Sequence, residues 1–310
     1  MRNRRLRLPR GRHKGGWRLA YKTKRGLAIH GDSAKFLSDP GVTHLRGKAQ
    51  LIFTSPPFPL RTKKSYGNLS GEDYVEWLSR FGAMFKTWLK PGGSIVIELG
   101  NAWEPGRPTM STLPMKALLA FQERNGLHLC QEFVCHNPAR LPGPAQWVTV
   151  ERVRVKDSFT RLWWLSASAR PKADNRRVLQ EYSGDMKRLL KSRRYSAGRR
   201  PSEHVIGRKS FLRNNQGAIP ASVLTVANTG SNDAYHRHCK MNSMEPHPAR
   251  MPGALAEFFI RFLTAKDDLV IDPFAGSNTT GAAAESLDRS WIAVEANADF
   301  LEGSHGRFSR

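Results

Sequence analysis

Residues 269–280 read Leu-Val-Ile-Asp-Pro-Phe-Ala-Gly-Ser-Asn-Thr-Thr, an apolar run that ends on a carboxylate and breaks into a turn of small residues. A helical stretch to Leu287 follows, and residues 291–294 form a second apolar run that ends on Glu295. Strand, glycine-bearing turn, helix and strand make the layout of a nucleotide-type cofactor site. Glycine lets the backbone approach a ligand, and the first turn of the helix offers unpaired amides. Glu295 stands roughly 20 residues past the turn, where an acidic residue accepts hydrogen bonds from ribose hydroxyls. The turn is not Gly-x-Gly-x-x-Gly and lacks a P-loop lysine, and Asp272 beside it would repel a pyrophosphate. S-adenosylmethionine (SAM) has no phosphate and carries a cationic amino group and a sulfonium, so an acidic strand end suits it. Taken alone, such a turn is as readily structural as ligand-binding.

Upstream, the same alternation recurs. Residues 27–29 are a short apolar run ending at Gly31-Asp32-Ser33, followed by a brief helical stretch around 35–37. Val75, Leu78, Phe81, Phe85, Trp88 and Leu89 recur at spacings near three and four, predicting an amphipathic helix stopped by Pro91-Gly92-Gly93. Residues 94–99, 129–135 and 162–166 read as strands, 113–122 and 255–263 as helices. Alternation of this kind predicts an α/β fold with a mainly parallel sheet.

A second corner lies at residues 50–58. The buried strand there runs into Thr54-Ser55-Pro56-Pro57-Phe58, and two consecutive prolines forbid both further ladder pairing and a helix. The chain must leave the sheet at a strand end, where open α/β sheets bind ligands. These residue types suit methylation of an exocyclic amine, whose lone pair is delocalised into the ring and must be turned toward the methyl carbon. The Pro56 carbonyl and the Ser55 side chain can both engage such a nitrogen, favouring it as positive charge develops. Phe58 would stack on an extruded base, returning about 1–3 kcal/mol against the few kcal/mol that extrusion costs. A rigid turn with a packed ring is the alternative reading of the pentapeptide by itself.

Composition narrows the partner. Fifty Lys plus Arg against 26 Asp plus Glu leave a net charge of +24 over 310 residues, so a polyanion is the natural ligand. No apolar run approaches the roughly 18 residues that would span a bilayer, and the Arg-rich start does not read as a secretory signal; a cytoplasmic protein is expected. Cys130, Cys135 and Cys239 match neither a zinc knuckle nor a disulfide framework, and no metal site is expected. They read as reduced thiols, two of them in the core, which disfavours cytosine C5 chemistry because that reaction requires a cysteine nucleophile. Residues 1–26 read as a basic flexible arm, either a solvated tail or a segment that tracks phosphates. Between 170 and 244 periodicity gives way to polar, basic sequence that reads as an insert.

Both corners occur in one chain, and together they resemble the motifs of the amino-methylating DNA methyltransferases of permuted order, in which the catalytic motif precedes the SAM motif. The similarity is to the cytosine-N4 branch in particular. It runs through residues 54–68 (TSPPFPLRTKKSYGN), 137–148 (NPARLPGPAQWV), 153–166 with its Trp163-Trp164 pair, 207–220 and 247–264 (HPARMPGALAEFFIRFLT), and covers about 28–300. The resemblance implies a Rossmann-like SAM-dependent methyltransferase sheet, with 27–169 its catalytic part, 170–244 a target-recognition region and 245–310 its SAM-binding part. It implies that Ser55, Pro56, Pro57 and Phe58 handle a flipped cytosine. It assigns Asp272, Pro273, Phe274, Gly276, Ser277, Thr279 and Glu295 to SAM, with Asp32 approaching the adenine amino group. His247 to Arg250 would begin the helix bordering the methionine moiety. Asn278 departs from the glycine usual in the wider group.

The resemblance also implies duplex DNA as partner, CAGCTG as target, and a monomer of a bacterial or phage restriction-modification system whose cognate endonuclease acts independently. Adenine N6 methylation is the nearest rival; enzymes of that kind usually present Asn or Asp before Pro-Pro, and Ser55 favours cytosine N4. A catalytically inactive DNA-binding protein is the rival from another class, against which every catalytic and SAM residue type is present.

Overall fold

Every residue of β3 (Ala49–Thr54) and β12 (Leu269–Asp272) is buried, as expected for central parallel strands covered on both faces. A computed structural model describes residues 16–58, 71–228, 230 and 232–308, together with Leu6 and Leu8. Among these residues the chain passes through β1 (Arg18–Lys22), β2 (Gly26–His30), α1 (Ser33–Ser38), β3, α2 (Gly71–Trp88) and β4 (Leu89–Gly100). A small ribbon of β5 (Ala102–Trp103) and β6 (Met110–Ser111) precedes α3 (Leu113–Arg124), β7 (His128–His136) and β8 (Phe159–Ser166). Beyond α4 (Gly184–Ser192), β9 (Gly198–Arg199) and β10 (Val205–Ile206) come β11 (Val223–Thr225), α5 (Ala234–Met241) and α6 (Gly253–Leu263). β12, α7 (Thr279–Ser286), β13 (Ser290–Glu295) and α8 (Ala298–His305) complete it.

Among the described residues nine strands form one sheet, in the order β1-β2-β13-β12-β3-β4-β8-β7-β11. The run from β2 to β4 is parallel throughout, whereas β8 lies antiparallel to both β4 and β7, and β1 antiparallel to β2. The expected mainly parallel α/β sheet is present. Residues 137–158 join β7 to β8 without a crossover helix, so this pair forms an antiparallel excursion inside it.

The two-residue period of the strands builds two cores. Ile52, Ile271, Ile292 and Val294 pack toward α1, α2 and α3 with Phe36, Leu78, Phe85, Trp88 and Phe121. Leu51, Phe53, Val270, Trp291 and Ala293 pack on the other face with Leu255, Phe259, Leu263 and Ala284 of α6 and α7. Sheet direction and these cores bring the C-terminal ends of β3, β4, β12 and β13 to one edge.

Two expected boundaries move. The basic arm does not run to residue 26: Trp17 is buried, donating its indole N–H to Asp39 at 2.8 Å, and β1 pairs with β2. Leu6 and Leu8 pack on the first core, and the rest of the arm lies outside the described residues, as do residues 59–70. The chain divides into a large unit, 1–173 with 222–310, and a small one, 174–221, shorter than the insert read at 170–244. The difference lies in β11, which pairs with β7 and recruits the following residues to the large unit. The small unit carries 12 Lys and Arg against 4 Asp and Glu. Its ends are held by the Gln180–Ala218 bridge, its middle by Tyr195 against Phe211.

Candidate active site

β3 and β12 are neighbours in parallel register, Ile52 opposite Ile271, so their strand ends coincide. Thr54 donates its hydroxyl to Asp272 Oδ1 at 2.7 Å, joining corners 218 positions apart in a buried hydrogen bond. A cleft of about 310 Å³ opens above this pair. All thirteen residues singled out from sequence line it: Asp32, Ser55, Pro56, Pro57, Phe58, His247, Asp272, Pro273, Phe274, Gly276, Ser277, Thr279 and Glu295.

The cleft floor is acidic. Burial pushes the Asp272 carboxyl up to about 6, although hydrogen bonds from Thr280, Thr54 and the Phe274 N–H work the other way. Glu295 is likewise raised by burial, against the N–H groups of Asn297, Gly276 and Ala296. Its Oε2 accepts from the Gly276 N–H at 2.8 Å, which ties β13 to the turn after β12. Two carboxylates held ionisable in a low-dielectric cleft are an electrostatic demand for a cation. Gly276 has φ +49, and a Cβ there would stand 3.0 Å from the His247 ring, so a side chain would crowd the cleft wall. Asn278 is also left-handed, φ +52; it caps α7 through Gly281 and donates to Tyr21 Oη at 3.0 Å. Asparagine tolerates this conformation, which accounts for its presence in place of glycine.

A second cavity of about 270 Å³ adjoins the cleft, and Ser55, Phe58, Ala249 and Met251 line both. Its floor is Glu98, at the end of β4 and 8% exposed, whose carboxylate accepts from Thr160 Oγ1 at 2.8 Å and from the Ser55 hydroxyl. Burial raises the Glu98 carboxyl above its ordinary value; Thr160, Ser55 and the charge of Arg140 oppose this. Gly100 gives the Phe58 ring room, since a Cβ there would lie 2.6 Å from the ring. Cys135 also lines this cavity, but burial, followed by the Glu98 charge, pushes its thiol up to about 11. At neutral pH only about one molecule in ten thousand would hold a thiolate, so the cavity has no cysteine nucleophile ready.

The acidic cleft and the second cavity meet at a Ser-Pro-Pro corner, and the chain that builds them matches a DNA methylase family model over residues 49–305. The chain belongs to the DNA methylase family. Type II methyltransferase M.PvuII of Proteus hauseri is 41% identical to the methylase over 298 residues, covering 94% of this chain and 86% of the relative. The solved PvuII DNA methyltransferase (cytosine-N4-specific) superposes with a TM-score of 0.75 at 36% identity, covering 94% and 89% of the two chains. M.ScaI of Streptomyces caespitosus is 26% identical, covering 93% of this chain and 82% of its own.

Sequence reasoning missed three parts of the methylase site. Glu98 closes the run Ser-Ile-Val-Ile-Glu, and a lone carboxylate at the C-terminal end of a buried parallel strand was the signal that marks it. Thr160 arrives by register, paired with Gly100 across β4 and β8. Thr54 reads in the sequence as part of the corner, and only the fold makes it the link to Asp272. One expectation is corrected: residues 247–250 do not begin a helix. Pro248 lies within this stretch and Pro246 and Pro252 on either side of it, each disfavouring helical geometry at the residue before it, so α6 starts at Gly253. His247 still lines the cleft, its ring 4.4 Å from that of Phe300.

Proposed function

We propose that this methylase transfers the methyl group of SAM to the N4 amino group of cytosine in duplex DNA, after the base is extruded from the helix. The observation that carries the reading is Ser55, shared by the acidic cleft and the second cavity and hydrogen-bonded to buried Glu98. The cleft fits the donor: it is acidic, has a glycine where a Cβ would intrude, and lies within the range of small-ligand pockets. When bound, SAM would supply an electrophilic methyl on a cationic sulfur, the carbon–sulfur electron pair staying with sulfur on transfer. Asp272, Glu295 and Asp32 would hold it, with Phe274 and His247 along the walls.

The chain's own residues do the rest. Because the Ser55 hydroxyl proton is committed to Glu98, the Ser55 oxygen presents lone pairs to an N4–H, and the Pro56 carbonyl offers a second acceptor. Two such acceptors favour a nitrogen that gains positive charge as the N–C bond forms. The surplus N4 proton leaves toward Ser55, whose own proton passes to Glu98, a better base than an exposed carboxylate because burial raises it. Phe58 stacks on the extruded ring. No covalent enzyme intermediate is required, consistent with the protonated Cys135 thiol.

The basic unit at 174–221 serves target recognition, most of its cations holding phosphates and a few reading guanine edges in the major groove. The target is CAGCTG, supported by the likeness to the PvuII methyltransferase across nearly the whole chain. The methylase works as a monomer in bacterial or phage-infected cytoplasm, beside a cognate restriction endonuclease that acts independently. Digesting modified plasmid to nucleosides decides the chemistry by mass spectrometry: N4-methylcytosine is expected, N6-methyladenine would refute the base, and SAM binding without any methylated nucleoside would mark an inactive DNA-binding protein. Protection of each CAGCTG site from cleavage tests the sequence, and sedimentation tests the monomer.

A further inference from the structure

The wall between the two cavities is a segment without regular structure. Residues 247–252 run from His247, on the cofactor cleft, to Pro252, on the second cavity. Proline-rich and outside any ladder, this wall is held by other contacts. The His247 N–H donates to Tyr235 Oη at 2.7 Å, and Asn228 donates to the Arg250 carbonyl at 2.9 Å. The Arg250 guanidinium donates to Asp233 Oδ2 at 3.0 Å and to the Gly230 carbonyl at 3.1 Å.

Asp233 Oδ2 also pairs with Arg307 at 3.3 Å, and that guanidinium holds the cofactor turn. Arg307 Nε donates to the Ser277 carbonyl at 2.6 Å and its Nη2 to the Ser277 hydroxyl at 3.2 Å. Both guanidinium groups lie over the Tyr235 ring, at 4.9 Å for Arg307 and 5.7 Å for Arg250. Their side chains are 12% and 14% exposed, so two like charges share one carboxylate with little water to screen them. Without the carboxylate, repulsion would drive the wall and the turn apart.

We infer that Asp233 is a positioning residue that couples cofactor occupancy to capture of the target base, because one carboxylate oxygen ties the wall between the cavities to the cofactor turn. The inference rests on the proposed extrusion of the base into the second cavity. Filling the cleft fixes Ser277, and through Arg307, Asp233 and Arg250 it fixes the wall that the base must pass. By linkage, a bound base should tighten cofactor binding by the same factor.

The test uses the full chain and a duplex of the site identified by protection, with 2-aminopurine at the target position, titrated with and without S-adenosylhomocysteine. In the parent protein the cofactor product should tighten duplex binding about fivefold or more and brighten the fluorescence. In Asp233→Asn that ratio should fall to about one, while duplex affinity in the absence of cofactor stays within about threefold, a separation that general loosening would not produce. A ratio unchanged in Asp233→Asn, or a ratio of one in the parent, overturns the coupling. Should Asp233→Asn fail to fold, Arg307→Lys takes its place: a lysine keeps the charge but cannot bridge Asp233 and both Ser277 oxygens, and the same loss of coupling is expected, its absence refuting the inference. Duplex binding with no fluorescence change in any state would instead refute base extrusion, and the inference with it.

Discussion

Replacing Asp272 with Asn should make the methylase more stable and a poorer binder of SAM, a trade that follows from the acidity of the cleft floor. Burial displaces the Asp272 carboxyl from its ordinary 3.8 to about 6. At neutral pH the folded protein therefore carries an ionised group that the unfolded chain ionises without penalty. The displacement corresponds to roughly 3 kcal/mol. Asparagine removes this burden while its amide oxygen can still accept from Thr54, so urea unfolding at pH 7.5 should show a gain of about 2–3 kcal/mol. The sign with pH is fixed. The folded carboxyl binds its proton below about 6 and the unfolded one only below 3.8, so the parent gains stability as pH falls across that window. The advantage of Asp272→Asn should shrink across the same window and vanish near pH 4. Calorimetry should find SAM bound about tenfold more weakly, the worth of one hydrogen bond to a charged partner. A variant no more stable at pH 7.5, or a difference that ignores pH, would refute the account of Asp272 as a strained carboxylate kept for a cation.

Four shorter expectations accompany it. Ser55→Ala should lower kcat about a hundredfold with SAM affinity nearly intact; equal activity removes Ser55 from the chemistry. In the parent, kcat should fall with acid as the raised Glu98 carboxyl takes its proton, and in Glu98→Gln that limb of the pH profile should be absent and the residual rate flat. Cys135→Ala should keep kcat within about twofold, since a thiol pushed up to about 11 is no nucleophile; a large loss of rate with normal folding would reopen cytosine C5 chemistry. Phe58→Ala should weaken capture of the extruded base by about 1–3 kcal/mol, read as a raised KM for duplex DNA with SAM affinity preserved.

Much of the fold was legible because buried strands and amphipathic helices announce themselves locally. Ala49–Thr54 and Leu269–Asp272 are apolar on both faces because they lie inside a parallel sheet, and α2 repeats its apolar face at helical spacing because only one side meets the core. Ser55, Pro56, Pro57, Asp272, Gly276 and Glu295 stood out for a related reason: prolines, glycine and carboxylates at strand ends are local exceptions to the pattern. Asp32, His247, Pro273, Phe274, Ser277 and Thr279 were marked by the family resemblance, and they line the same cleft. The direction of β8 was not legible, since an apolar run has no arrow. Nor was the start of α6, which the resemblance implied at His247 to Arg250 and three prolines displace to Gly253.

From the chain alone came the two corners and the sign of the partner's charge, because residue type and spacing along one strand decide these. The chemistry of the corners came from the family resemblance that both carry together. Tertiary structure alone decided which side chains converge. Thr54 meets Asp272 only through the parallel register of β3 and β12, and Thr160 meets Glu98 only because β8 runs backward. Asp233, Arg250, Ser277 and Arg307 come from four separate segments, and no spacing rule joins them. Hydrogen bonds act over about 3 Å, whereas sequence separation carries no information about distance once the chain has folded back on itself.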